Sequence, residues 1–444
     1  MGQILSHPKT EKTSEEGGDS FVAYGLSCMQ GWRVSMEDSH STVLDMSKLV
    51  GKTNLNEQNA FFGVYDGHGG EKVAIFTGEN LPKILAKSEN YAKGDYIQAL
   101  KDTFLAADVE LLNHEELSKD PSGCAATTTL ITPNAIYCAN AGDSRTIMSI
   151  DGVVKPLSFD HKPTNEGEKN RIVNAGGFVD MGRVNGNLAL SRGIGDFEFK
   201  DSNLKPEEQA VTPLPDVLEH KLDTLKDEFI VLACDGIWDC LSSQQVIDFV
   251  RRYIKEKKSL IEISELLMNT CLAPTSGGSG IGCDNMSVCI VALLKDGESL
   301  DDWYKRIGSK VSDEDLKKLP TADDLSNDLY KVDIATKISE TSENDSSNKN
   351  GGLRSTLRSE EEDDDDEDGN VLKGGAPAFL QQLLAASSAQ RDNNVIYLDQ
   401  NATSILQSLG VMEEDDDVKI EQEDEDNEDN DKEDKIKEVT DDKQ

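Results

Sequence analysis

The stretch AFFGVYDGHGG, residues 60–70, holds the pattern from which the rest of the chain can be read. Ala60–Tyr65 is a short apolar run of strand length that stops abruptly at Asp66, and Gly67-His68-Gly69-Gly70 then gives way to helical periodicity over Lys72–Leu85. The same arrangement recurs. EFIVLAC (228–234) runs into Asp235, the strand-like Ala135–Asn140 leads to Asp143, and Asp284 stands just ahead of MSVCIVALL (286–294). Taken singly, an Asp-Gly pair is a turn. Four carboxylates at strand ends are a different matter, because strand ends are rigid and can aim several side chains at one point. Oxygen-only clusters suit hard cations such as Mg²⁺ or Mn²⁺. Two such ions about 3.5–4 Å apart clamp a phosphoryl oxygen and generate a nucleophile from water near neutral pH.

Outward from these runs, FVAYGLSCM from Phe21 reads as a strand, and Thr127–Ile131 with Ala135–Asn140 as a hairpin about Pro133-Asn134. Tyr96–Leu112, Asn165–Asn174, Ser243–Lys255 and Ile261–Asn269 carry helical periodicity, and Asp301–Ile307 and Ser312–Leu319 read as short helices. Strands joined by short turns, with helices arriving in pairs, predict an α+β fold with antiparallel sheets.

The 444 residues carry a formal net charge of −40, unevenly spread. From Glu340 to Gln444 there are 32 Asp and Glu against 10 Lys and Arg, a net −22, and Glu360–Asp368 is nine acidic residues in a row. Such a segment predicts a disordered acidic tail over 339–444, with two short apolar islands at Ala376–Ala386 and Val395–Met412. The expected organisation is a flexible leader over 1–19, a catalytic domain over 20–295, a short helical extension over 296–338, and the tail. The acidity argues against a nucleic-acid partner, and against a nuclease in particular. No apolar run is long enough to span a bilayer and no secretory leader opens the chain. Eight cysteines without a C-x-x-C pair, several inside apolar runs, read as buried free thiols rather than a zinc site or a disulfide framework. Gly2 and Ser6 fit the M-G-x-x-x-[ST] acylation pattern, which on its own would anchor weakly. Without coiled-coil heptads the expectation is a monomer, in cytoplasm and nucleus.

A second group opens at Arg33, in Trp32-Arg33-x-x-Met36-Glu37-Asp38. A guanidinium can grip two phosphate oxygens while a carboxylate four residues on holds a metal. His68, between glycines, is a group that can give up a proton near neutral pH. Gly69-Gly70 ahead of a helix suits phosphate, though no Lys-Ser/Thr follows to make a nucleotide P-loop.

In this order GWRVSMED (31–38), VYDGHGG (64–70), NAGDSR (140–145), LALSRGIGD (188–196), LACDGIWD (232–239) and CDNMSV (283–288) resemble the type 2C (PPM) family of metal-dependent protein serine/threonine phosphatases. The leader and acidic extension resemble fungal members that quench activated kinases. The resemblance, over about residues 20–295, implies a β-sandwich of two antiparallel sheets flanked by helices on both sides, a four-layer αββα arrangement. It implies a binuclear Mn²⁺ or Mg²⁺ site with Asp66 bridging, Glu37 and the Gly67 carbonyl on one ion, and Asp235 and Asp284 on the other. Asp38 would bind metal-held water, Arg33 the phosphate, and Asp143, Asp235 and Asp239 a weak third ion. A hydroxide bridging the ions would attack phosphorus, and His68 would protonate the leaving serine or threonine oxygen. The implied partners are phosphorylated proteins, activated kinases of stress or cell-cycle signalling among them, and a flap over about Asp160–Arg192 would tune their choice.

One departure stands out. Where the family has threonine after Ser-Gly-x, this chain has Ser122-Gly123-Cys124-Ala125, which removes a hydroxyl and is expected to tune metal affinity or rate. Two rival functions, a phosphoprotein binder without turnover and a basic-protein scaffold built on the tail, would require respectively a lost ligand and a tail that binds by itself. Every carboxylate is present.

Overall fold

Runs that are apolar at every position have a simple cause: the strands that carry them are covered on both faces. In Ala60–His68, Phe61 and Tyr65 point to one layer and Ala60, Phe62 and Val64 to another, all without measurable exposure. In Asp227–Ala233, Phe229, Val231 and Ala233 face helices, and Ile230 and Leu232 face the opposite sheet. The computed structural model describes residues 4–50, 58–200, 203–276, 280–295 and 297–330, with 390–392 and 395–397.

In chain order the strands are β1 (Ile4–Gly18), β2 (Val22–Arg33), β3 (Ser39–Val43), β4 (Ala60–His68), β5 (Gly123–Ile131), β6 (Ala135–Ala141), β7 (Arg145–Ile150), β8 (Val153–Pro156), β9 (Val179–Asp180), β10 (Arg183–Val184), β11 (Ile194–Gly195), β12 (Asp216–Lys221), β13 (Asp227–Ala233) and β14 (Met286–Leu293). One six-stranded sheet has the order β1-β2-β14-β13-β7-β8, and the other has β12-β6-β5-β4-β3 with β11 beside β5. All these pairings are antiparallel.

The sheets meet face to face over Val22, Leu26, Phe62, Val64, Ile230 and Leu232. Helices Lys72–Lys87 and Tyr96–Asn113 cover the second sheet through Leu81, Leu85, Leu100 and Phe104. Helices Ser243–Lys255, Leu260–Cys271 and Leu300–Ser309 cover the first through Phe249, Leu267 and Trp303. Ser242 with Gln245, and Ser259 with Glu262, form capping boxes that start two of these helices where the sequence places them. The result is the expected four-layer αββα sandwich. All eight cysteines are free thiols. No helix among the described residues is long and apolar enough to cross a membrane.

The flexible leader expected over residues 1–19 is corrected by β1, which occupies residues 4–18. Its polar side chains carry no apolar alternation because it is an edge strand, held by backbone pairing to β2 with register shifts between Ile4, Lys9 and Lys12. Pro8 lies in the irregular part, where a missing N–H costs nothing on an edge. Ser14 Oγ bonds Glu265 at 2.7 Å and Thr42 Oγ1 donates to Glu15 at 2.6 Å, tying the strand down on two sides.

Beyond residue 296, Trp303, Ile307 and Leu325 join the helix-side core of the first sheet. Trp303 Nε1 donates to the Glu228 carbonyl at 3.0 Å, and Arg252 donates to the carbonyls of Leu316 and Leu319 at 2.8 and 2.9 Å. Of the C-terminal region only Gln390–Asp392 and Val395–Tyr397 are described, as an antiparallel pair. The expected acidic tail otherwise lies outside the described residues, as does Gly2.

Candidate metal centre

Each carboxylate owes its position to a strand end. Asp66, Gly67 and His68 are the last residues of β4, Arg33 is the last of β2, and Glu37 and Asp38 lie in the short link to β3. Asp143 follows β6, Asp235 follows β13 and opens the short helix Asp235–Trp238, and Asp284 precedes β14. The register brings them to one end of the sandwich: Ala233 lies opposite both Arg145 and Val288, and Met286 opposite Met29.

Glu37 packs against Gly67 so closely that a Cβ there would collide with the Glu37 carbonyl oxygen. Its carboxylate accepts from Ser35 Oγ at 2.7 Å and from the Gly70 amide at 3.1 Å. Asp38 accepts from Ser287 Oγ at 2.7 Å, while its other oxygen is buried with no partner among the described residues. Arg33 bonds Asp284 at 2.5 Å. Asn285, for which the sequence suggests no role, ties the loop together. Its side chain accepts from the Glu37 amide at 2.9 Å and donates to the carbonyls of Gln30 and Ser35 at 2.8 and 3.0 Å.

The electrostatics identify what the cluster suits. Burial pushes Asp66 and Asp235 well above the usual carboxylate range. The charges of Asp235, Asp38, Asp284 and Asp143 add to it at Asp66, and those of Asp143, Asp284 and Asp239 at Asp235. Burial likewise raises Asp38, to about 7, against the Ser287 hydrogen bond and with the Asp284 charge. Asp239 and Asp284 are also raised, by burial first. Against these carboxylates stand Arg33 on Asp284 and Lys162, which is paired with Asp143. Acceptor-only groups gathered this closely, with a buried oxygen left over, fit hard divalent cations as countercharge. Asp38, Asp66 and Cys234 bring ligand atoms within 4.8 Å of one another. Cys234 is a neighbour that sequence reading set aside. Its sulfur accepts from the Ser287 amide at 3.1 Å, and burial raises its thiol strongly.

His68 Nε2 lies 2.6 Å from Asp196, a carboxylate only 3% exposed, in the quoted LALSRGIGD stretch but unassigned by it. Burial, the largest single influence, lowers the imidazole; the Asp196 charge and hydrogen bond, with the Asp143 and Glu37 charges, together outweigh it and the net displacement is upward. Ala125 lies directly opposite Asp66 across the β4–β5 ladder and is fully buried, so the departure from the family threonine does border the cluster. The expected flap region holds the pair β9–β10, and its Ile172 and Val184 pack with Ala210 and Val211 from beyond it in a small core. It is pinned at its base by Glu168 between Arg171 at 2.8 Å and Arg192 at 2.7 Å.

Comparison with known proteins agrees with this picture. The family described as Protein phosphatase 2C matches residues 22–280. "Protein phosphatase 2C homolog 3" of Schizosaccharomyces pombe is 58% identical over 315 residues, covering 71% of this chain and 75% of that protein. "Protein phosphatase 2C homolog 2" of Saccharomyces cerevisiae is 53% identical, covering 70% and 67%. Among solved structures, a phosphatase from Toxoplasma gondii superposes with a TM-score of 0.52 at 25% identity, over 64% of this chain and 95% of that one. The likeness to a Caenorhabditis elegans sex-determining protein, with a TM-score of 0.54 at 21% identity over 66% and 68%, concerns the fold alone. On sequence match, fold and carboxylate cluster together, the chain belongs to the protein phosphatase 2C family and is a metal-dependent phosphoprotein phosphatase.

Proposed function

We propose that the chain hydrolyses phosphoserine and phosphothreonine on proteins, activated protein kinases of stress or cell-cycle signalling among them, at a centre of two Mn²⁺ or Mg²⁺ ions. The observation that carries this is the group of mutually repelling, mostly half-buried carboxylates beside a guanidinium at one rim. Asp66 would be shared between the ions, with Glu37 and the Gly67 carbonyl on one side and Asp235 and Asp284 on the other. Asp143, Asp235 and Asp239 would hold a weaker third. The ions, when bound, supply positive charge for the phosphoryl oxygens and make water acidic enough to serve as nucleophile near neutral pH.

The chain's own residues do the rest. Arg33 receives the phosphate, and its bond to Asp284 holds it at the rim of the cluster. Asp38, held by Ser287, orients attacking water. His68 keeps its proton because Asp196 backs Nε2, and gives it up from Nδ1, which has no partner among the described residues, to the leaving hydroxyl oxygen. The cysteines take no covalent part. We assign the protein to cytoplasm and nucleus as a monomer, with weak membrane contact only where Gly2 is acylated.

The test is phosphate release from a phosphothreonine peptide by the full chain, with and without Mn²⁺, beside Asp235→Asn. Metal-dependent release that the substitution cuts by at least about a hundredfold supports the reading. Release that is independent of metal, or unchanged in the variant, overturns it.

A further inference from the structure

The helical segment 322–330 lies beyond the 22–280 span of the family match, yet its last described residue reaches the rim of the site. Its start is fixed to the helix layer: the Ala322 amide donates to Tyr253 Oη at 2.9 Å, and Leu325, 3% exposed, sits in the core beneath. Its end, Tyr330, belongs to a small separate cluster with Trp32, Ala273 and Cys283, all nearly fully buried. Tyr330 Oη donates to the Cys271 carbonyl at 2.5 Å. The same hydroxyl and the same carbonyl both crowd the bare face of Gly282, where a Cβ would collide with each. Gly282 has φ +70°, a conformation in which glycine is at ease, and its carbonyl accepts from the Ala273 amide at 2.9 Å. The Ala273 carbonyl in turn accepts from Trp32 Nε1 at 2.9 Å.

Both branches of this network end one or two residues from the site. Gly282 is two residues before Asp284, and Trp32 is next to Arg33; Asp284 and Arg33 are themselves paired at 2.5 Å. We propose that segment 322–330 is a strap that positions the Arg33–Asp284 edge of the metal centre, and that Tyr330 is the positioning residue through which it acts. It works by holding Gly282 against the Cys271 carbonyl and by closing the pocket around Trp32, so that the Asp284 carboxylate and the Arg33 guanidinium arrive at the cluster in register. This rests on the two-ion reading above, to which it adds a determinant outside the matched family span.

The experiment uses the full chain with Tyr330→Phe, which removes only the hydroxyl, Tyr330→Ala, and Arg252→Met. The last loosens the same extension at Leu316 and Leu319, away from residues 282–284. Mn²⁺ binding is measured by calorimetry without substrate, and turnover of a phosphothreonine peptide is followed against Mn²⁺ and peptide concentration. Residues that orient metal ligands typically govern on the order of tenfold in affinity. A weakening of Mn²⁺ binding of roughly threefold to tenfold is therefore expected in Tyr330→Phe and a larger one in Tyr330→Ala, with kcat recovering at saturating Mn²⁺ and Arg252→Met binding Mn²⁺ as the parent does. If Tyr330→Ala does not fold, Tyr330→Phe decides alone. Parental Mn²⁺ affinity in a folded Tyr330→Phe overturns the proposal, as does an equal loss in Arg252→Met, which would mean general loosening. A parent protein that binds no Mn²⁺ overturns the two-ion reading and the strap with it. That result is distinct from a parent that binds Mn²⁺ and variants that match it.

Discussion

Asp196→Asn would isolate the step in which, on the proposed mechanism, His68 gives up a proton. The carboxylate lies 2.6 Å from Nε2 and is 3% exposed, so solvent screens it little. It packs against Gly123, and an isosteric amide fits where a longer side chain would not. A hydrogen bond to a charged partner is worth about 1.5–3 kcal/mol against about 0.5–1.5 kcal/mol for a neutral one. Losing the charged bond outright would cost about tenfold to 150-fold in kcat at 1.36 kcal/mol per decade, and the amide recovers part of that. The expected fall is thus between about threefold and a hundredfold for a phosphothreonine peptide, whose alkoxide leaves badly unless protonated. For p-nitrophenyl phosphate, whose leaving group is stable as an anion near neutral pH, the fall is much smaller. Steady-state kinetics on both substrates, with the Mn²⁺ dependence of each, measures this split. Equal losses on the two substrates, or a raised Mn²⁺ requirement at unchanged kcat, would refute the assignment and make Asp196 a part of the metal centre instead.

Further outcomes can be checked directly. If the carboxylate cluster holds Mn²⁺ as proposed, and only in the folded chain, the ion at a hundred times its Kd would stabilise by about 2.7 kcal/mol; a melting temperature insensitive to Mn²⁺ and to a chelator would contradict this. Glu228→Gln takes from Arg251 its charge partner, 3.1 Å away on a carboxylate with no exposed surface, and leaves Lys310, 3.2 Å from the same carboxylate, with Asp151 alone; denaturant unfolding is expected to show a loss of about 1.5–3 kcal/mol. Glu168 is pulled to about 2, burial opposing and Arg192 and Arg171 prevailing. Its folded value is below its ordinary one, so its contribution is present above about pH 4.3 and is lost as pH falls towards 2. Glu168→Gln should flatten the acid limb of the stability curve in that window; an unchanged limb would count against the Arg171–Glu168–Arg192 clamp.

What the sequence disclosed follows a physical division. A strand buried on both faces writes its burial into every position, which is why AFFGVY and EFIVLAC were readable and why the acidic residues that end them were conspicuous. β1 writes nothing of the kind. Its cohesion is backbone pairing to β2, and ILSHPKTEKTSEEGG looks like a loose leader. The residues that support the site were hidden for another reason. Asp196 reaches His68 across 128 positions, Ser287 reaches Asp38 across 249, and Asn285 reaches Glu37 across 248. Nothing local marks such partners, because a hydrogen bond between distant segments depends on register rather than on neighbouring residue types. Lys162 and Cys234 were equally invisible in their relation to Asp143 and Asp66 until the strand ends were brought together.

The first strand also bears on where an acyl group on Gly2, if one were attached, would be anchored. Ile4 is already in register opposite Arg33, at the end of the sandwich that carries the carboxylate cluster, and only two peptide units separate it from Gly2. Those two units reach at most about 7 Å. A fatty acyl group on Gly2 would therefore act as a short mooring beside the reaction centre and not as a long leash. A bulky tag fused at the same end would crowd the same approach.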